Sequence, residues 1–113
     1  MRQPDDDGRL LDMLVACREA RELASKSSLP DLYDDRLLQL GLVKLIEIIG
    51  EAASRVTSER QEAIPEIPWR RIIGMRHRLV HGYDEVDYEI VWGVVIDELP
   101  PLVAIIEANL PAQ

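Results

Sequence analysis

The sequence predicts an all-α protein, an up-down bundle of four to five helices. Three observations carry that expectation. Apolar residues recur at helical spacing through most of the chain, and no stretch alternates apolar and polar residues between hairpin turns. With 113 residues there is length for one domain with a hydrophobic core of its own. With no Phe, two Trp and three Tyr, that core has to be aliphatic.

The first eight residues, Met1 to Gly8, are polar and acidic and are expected to form a disordered tail, leaving a single helical domain over residues 9–110. From Arg9 to about Ser27, Leu10, Leu11, Leu14, Val15, Ala20 and Leu23 follow a helical period. Ser27 to Asp31 is a break, and Pro30–Asp31 suits the start of a second helix running from about Asp31 to Val56. Its stretch from Leu37 to Ile49 is apolar on most sides. Lys44, Glu47 and Glu51, three and four residues apart, draw one narrow polar stripe along it. Gly50 lies beside that stripe, where a second backbone can approach closely.

Thr57 to Pro68 is a polar connector with room for one helical turn. Pro68 suits the first turn of a third helix over Trp69 to His81, with Gly82 ending it. Asp87 can cap a fourth helix carrying Ile90, Val91, Val94, Val95, Leu99, Leu102, Val103 and Ile106. Pro100–Pro101 must kink or split that helix. Cys17, the single cysteine, falls among Leu14, Val15 and Ala16 and is expected to be a buried small hydrophobe. The start of the chain has no apolar signal-peptide core, and the longest uncharged apolar runs fall far short of the ~20 residues of a membrane span, so an intracellular soluble protein is expected.

Thirteen basic against 21 acidic residues give a net charge of −8, which argues against a generic basic coat for nucleic acid or anionic membrane. The charge is unevenly distributed. Residues 67–83 hold Arg70, Arg71, Arg76 and Arg78 and no acid, a window of +4 that leaves −12 for the remainder. Both histidines, His77 and His81, fall in the same window. Arginine offers a planar, permanently charged fork to phosphate oxygens, and histidine moves protons near neutral pH. At a helix C-terminus, His81 would be favoured in its protonated form. Together these residues suit metal-free cleavage of RNA, in which the ribose 2′-hydroxyl attacks the adjacent phosphate.

Two other readings of the window remain open. Arg70, Arg71 and Arg78 can pair with acids of neighbouring helices, with the histidines as fillers. His77 and His81, four apart, match a helical zinc pair, but Arg76 and Arg78 flank His77 and oppose a dication, so no metal site and no cofactor are expected. On a regular helix Arg76 and His81 diverge by about 140°. Either the helix unwinds near Gly82, or a second chain completes the site, with one histidine as base and another as acid.

Arg76, four residues, His81, one residue and Tyr83 form an R-x4-H-x-Y motif set in Met75-Arg76-His77-Arg78-Leu79-Val80-His81-Gly82-Tyr83. With Val86-Asp87-Tyr88, Val91-Trp92 and the upstream Ile48-Ile49-Gly50-Glu51-Ala52, this resembles the HepT-like branch of the HEPN domain superfamily over nearly the whole chain. The resemblance implies a HEPN-like homodimer in the prokaryotic cytoplasm, acting as a metal-independent endoribonuclease toxin of a type VII-like toxin–antitoxin pair. It makes Arg76 and His81 the catalytic pair, with Arg76 stabilising phosphate charge. His77 and Glu51 take supporting roles by position, while the basic window itself suggests a supporting role for Arg78 and RNA binding by Arg70 and Arg71. His77 stands where the family commonly has Asn or another polar residue. Glu51 either orients Arg76 through an ion pair or is a solvated charge. Tyr83 is implied as the residue to which a minimal nucleotidyltransferase antitoxin attaches AMP, and its plain alternative is a packing aromatic. Trp69 and Trp92 read as packing anchors. The competing function is a non-catalytic helical module that holds a nucleotide or a protein on the basic window.

Overall fold

The computed structural model describes residues 5–81 and 85–111, His81 by its backbone alone. Its first helix, α1 (Asp6–Ser25), starts three residues earlier than its apolar period suggests. Asp5 caps it, accepting the Gly8 N–H at 2.9 Å, while Asp6 and Asp7 sit at the positive end of the helix dipole. Asp6 accepts both the backbone N–H (3.0 Å) and the hydroxyl (2.7 Å) of Thr57, and Asp7 pairs with Arg60 at 3.0 Å. Residues 5–8, expected in the acidic tail, are therefore a tethered helix start.

The long second helix is two. A capping box between Ser28 and Asp31 opens α2 (Leu29–Asp34), and Asp35 breaks the run by capping α3 (Arg36–Ser54) through the Leu38 N–H at 3.0 Å. An aspartate competes for backbone donors inside a helix and does better at its start, which explains the corner. Gln39 holds it, donating to the carbonyls of Leu32 (2.9 Å) and Tyr33 (3.2 Å). The connector forms one short helix, α4 (Ser58–Ala63), capped by Thr57.

The expected helix from Trp69 to His81 is also divided. It runs as α5 (Trp69–Ile73), breaks at Gly74, and resumes as α6 (Met75–Leu79). The chain then turns extended. Val80–His81 (β1) pairs antiparallel with Glu85–Val86 (β2), Val80 opposite Val86 and His81 opposite Glu85. His81 is thus not on a helix C-terminus: its backbone is in the ladder, two residues past the helix end. The stop expected at Gly82 lies outside the described residues.

Asp87 caps α7 (Tyr88–Gly93), accepting the N–H groups of Glu89 and Ile90 at 3.0 and 3.2 Å. A π turn (Val94–Glu98) leads into α8 (Leu99–Ala108), whose first turn holds Pro100 and Pro101. The wider turn makes room for the proline pair, whose rings would crowd the carbonyls of a regular preceding turn.

α1 lies along α3, α8 covers α1, and α5 and α6 dock on α3. The core between them is aliphatic, with Leu10, Met13, Leu14, Leu42, Ile46, Ile49, Met75, Leu79 and Leu99 buried. Cys17 belongs to it, and burial pushes its thiol up to about 12. Trp69 is a packing anchor: its indole N–H donates to the carbonyls of Gln61 and Ile64, both at 3.0 Å, closing the end of α4. Trp92 packs partly buried against the core. The all-α bundle expected from the sequence stands, with its long helices divided and one two-residue ladder added. No helix among the described residues is long and apolar enough to cross a membrane.

Candidate active site

Gly50 is the joint on which the site is built. It is buried in α3, and a Cβ there would lie 3.2 Å from the Ile72 carbonyl oxygen and 3.4 Å from that of Ile73. A side chain there would push the end of α5 back by a few tenths of an ångström, so glycine suits this close approach. The close approach expected at Gly50 is therefore present, and the approaching backbone is that of the arginine-rich segment. The break at Gly74 follows at once, then α6 carries Arg76 and His77 out over the exposed edge of α3.

There Arg76 meets Glu47. Its Nε–H donates to Glu47 Oε1 at 2.5 Å. Glu51, read from the sequence as either orienting Arg76 or a solvated charge, takes Arg55 of its own helix, with Oε1 at 2.8 Å from Nη2 and 3.1 Å from Nε. Of the two acids on the polar stripe, Glu47 is the one in register with α6. The stripe spacing was the signal for it, and only the docking of α6 decides between the two.

Arg76 and His77 line a cleft between α1 and α3, with Lys44, Glu47 and Glu51 along one wall and Leu11, Val15, Ile48 and Ile73 as apolar lining. Those four apolar side chains are exposed, as are Leu37 and Leu40 further along α3. His77 is exposed in the cleft, and its backbone N–H donates to the Gly74 carbonyl at 3.1 Å.

The other arginines face elsewhere. Arg71 and Arg78 converge on Glu98 of the π turn. Arg71 Nε lies at 2.9 Å and its Nη2 at 3.3 Å from the carboxylate; Arg78 Nη2 reaches both oxygens, at 2.9 and 3.0 Å. Burial works to raise the Glu98 carboxyl, but the hydrogen bonds and charges of Arg71 and Arg78 outweigh it and hold the group below its usual range. Arg71 is held above its ordinary value by the same bond. Pairing with a neighbouring acid, one of the readings left open by the sequence, thus holds for Arg71 and Arg78. Arg70 is exposed and makes no ion pair with any described residue. The side chain of His81 and the whole of Tyr83 lie outside the described residues. Among the described residues no group of three or more His, Cys, Asp or Glu could hold a metal ion.

Arg76, tethered at Nε by Glu47, thus reaches outward into a cleft of an all-α bundle. The comparisons with known proteins name the class of protein. A family model described as Ribonuclease HepT-like matches residues 13–108, and the chain belongs to that family of ribonucleases. The "Probable ribonuclease HepT" of Thermococcus cleftensis is 32% identical over 93 residues, which is 82% of this chain and 84% of that protein. A Caldanaerobacter subterraneus subsp. tengcongensis protein named "Putative RNase TTE0752" is 36% identical over 90 residues, 80% of each chain. "Putative RNase MJ1380" of Methanocaldococcus jannaschii is 26% identical over 102 residues, 90% of this chain and 94% of the relative. No solved structure matches the chain. Family membership makes the chain an enzyme with RNA as its substrate class.

Proposed function

We propose that the chain is a metal-independent endoribonuclease toxin of a type VII-like toxin–antitoxin pair, acting in the prokaryotic cytoplasm. The observation that carries the reading is Arg76, held at Nε by Glu47 and reaching into a cleft it shares with His77. A phosphodiester seated there meets the guanidinium with its negative oxygens. The ribose 2′-oxygen attacks the adjacent phosphorus as a base takes its proton. The bond from phosphorus to the 5′-oxygen breaks as an acid protonates that oxygen, leaving a 2′,3′-cyclic phosphate and a 5′-hydroxyl. His81 is the proton carrier in this reading, and His77 a second imidazole beside Arg76.

One chain carries a single copy of the motif, and a homodimer supplies base and acid together. The exposed apolar face of α1 and α3 supports that arrangement. Leu37, Leu40, Lys44, Ile48 and Glu51 share one face of α3 at three- and four-residue steps, with Leu37 80% exposed. The partner antitoxin is a minimal nucleotidyltransferase that attaches AMP to Tyr83, crowding Arg76 and His81 with phosphate and excluding RNA.

The test is cleavage of defined RNA in chelator by the wild type, Arg76→Ala and His81→Ala. Loss in both variants with activity in the wild type is the expected result. Activity persisting in both overturns the site, and tight nucleotide binding without turnover of any RNA points to the binding module instead. Co-expression with the nucleotidyltransferase should raise the intact mass by AMP units, and Tyr83→Phe should abolish the increase. An unchanged wild-type mass overturns AMP attachment as the control.

A further inference from the structure

Glu47 lies between two fully buried residues of α3, Ile46 and three residues on Ile49, and next to the Gly50 joint on which α5 rests. Its carboxylate is therefore rooted in the most constrained part of the bundle. Arg76 stands on a five-residue helix between the break at Gly74 and the ladder. The Glu47 side chain is 32% exposed and that of Arg76 60%, so the acceptor is the anchored partner and the guanidinium the one that reaches outward. The bond uses Nε–H and leaves both Nη groups, with their four N–H donors, without a partner among the described residues. A guanidinium fixed at Nε has its plane and its far edge fixed as well, and the far edge is the fork that takes two phosphate oxygens.

We infer that Glu47 is the positioning residue of the ribonuclease site, holding the Arg76 guanidinium at Nε so that its Nη fork faces the phosphate in the α1–α3 cleft. The inference rests on Arg76 being the phosphate ligand. It carries a signature that plain electrostatics would reverse. A carboxylate beside a phosphate site repels RNA, so its removal should leave KM unchanged or lower it. If its role is orientation, kcat falls all the same, because a misplaced catalytic group loses rate steeply.

Steady-state cleavage of a short RNA by the wild type, Glu47→Ala and Glu47→Gln, beside their melting curves, is the test. We expect Glu47→Ala to lower kcat on the order of 10²-fold with no rise in KM. Glu47→Gln, whose amide oxygen still accepts from Nε, should recover most of that loss. Both should melt close to the wild type, since the pair is largely exposed. An unchanged kcat in Glu47→Ala, a gain in kcat/KM, or equal losses in Ala and Gln overturns the inference. A second readout is independent of turnover: the Arg76 Nε–H resonance, assigned by its absence in Arg76→Ala, should exchange slowly with water in the wild type and in Glu47→Gln and rapidly in Glu47→Ala. Rapid exchange in an active wild type overturns the role of Glu47 alone. Slow exchange in a wild type that cuts no RNA overturns the ribonuclease reading, and the role of Glu47 with it.

Discussion

Two carboxylates divide the arginine-rich segment between them. On the cleft side, Glu47 holds one guanidinium by one N–H and leaves its fork open. On the opposite side, Glu98 holds two, Arg71 and Arg78, each through two hydrogen bonds, with Arg78 only 29% exposed. The residue types are the same; the stoichiometry and the burial are not. One arrangement leaves a guanidinium's Nη donors facing the cleft, and the other ties α5 and α6 to the π turn through both of its arginines. The +4 read along the sequence is therefore not a +4 surface. It resolves into one arginine that reaches into the cleft, one exposed arginine with no ion pair among the described residues, and a pair bound to Glu98.

The largest expected effect separates the two sides. Arg76→Ala should lower kcat for RNA cleavage by about 10²–10³-fold, the range for removing one donor to a developing oxyanion. Its stability should change by less than about 1 kcal/mol, because the pair with Glu47 is exposed. Arg71→Ala should lose far less activity. Equal losses in the two variants would dissolve the distinction, and kinetics alongside denaturant titration decide it.

Glu98→Gln reads the structural side. The change removes the charge shared by two guanidiniums and should cost about 1.5–3 kcal/mol, the worth of hydrogen bonds to a charged group, measured by urea unfolding. It should also alter the pH dependence. The Glu98 carboxyl is held below its ordinary 4.5 in the folded chain, so its contribution is complete above that value and is lost as pH falls through the lowered one. Wild-type stability should therefore fall more steeply than that of Glu98→Gln on acidification below about 4.5. Parallel curves would mean the network contributes nothing.

Gly50→Ala probes the joint shared by both sides. Alanine gains about 1 kcal/mol of helix propensity over glycine. Its Cβ must also displace the Ile72 carbonyl from 3.2 Å. The two effects oppose each other, so the melting temperature should change little while cleavage falls more, as the shift of α5 carries Arg76 off Glu47. A stability loss without an activity loss would show that α6 is placed independently of α5.

The helical class, the polar stripe of α3 and the contact at Gly50 were legible because each is a local pattern or a property of one residue. The breaks at Asp35 and Gly74 were not, since apolar periodicity runs through a short kink unchanged. Nor was the extended backbone of His81, which follows from pairing with Glu85 across residues 82–84. The choice of Glu47 over Glu51 is a matter of register between two helices 29 positions apart. One turn of α3 separates the two acids, and nothing local ranks them. Glu98 gave no signal at all, because the π turn that aims it depends on how the proline pair is accommodated.

Arg70 carries the smallest expected effect and the finest distinction. It is exposed and unpaired with any described residue, so it can meet phosphate only as a solvated surface charge. Arg70→Ala should weaken RNA binding uniformly across sequences and reduce the slope of log K against log salt by about 0.7, one single-strand phosphate contact. Arg78→Ala should change that slope less, because Arg78 is only 29% exposed and its Nη2 is bound to both Glu98 oxygens. Salt titrations of RNA affinity at several concentrations compare the two directly. A slope change in Arg78→Ala equal to that in Arg70→Ala would place the structural pair on the RNA path and erase the division between the two sides.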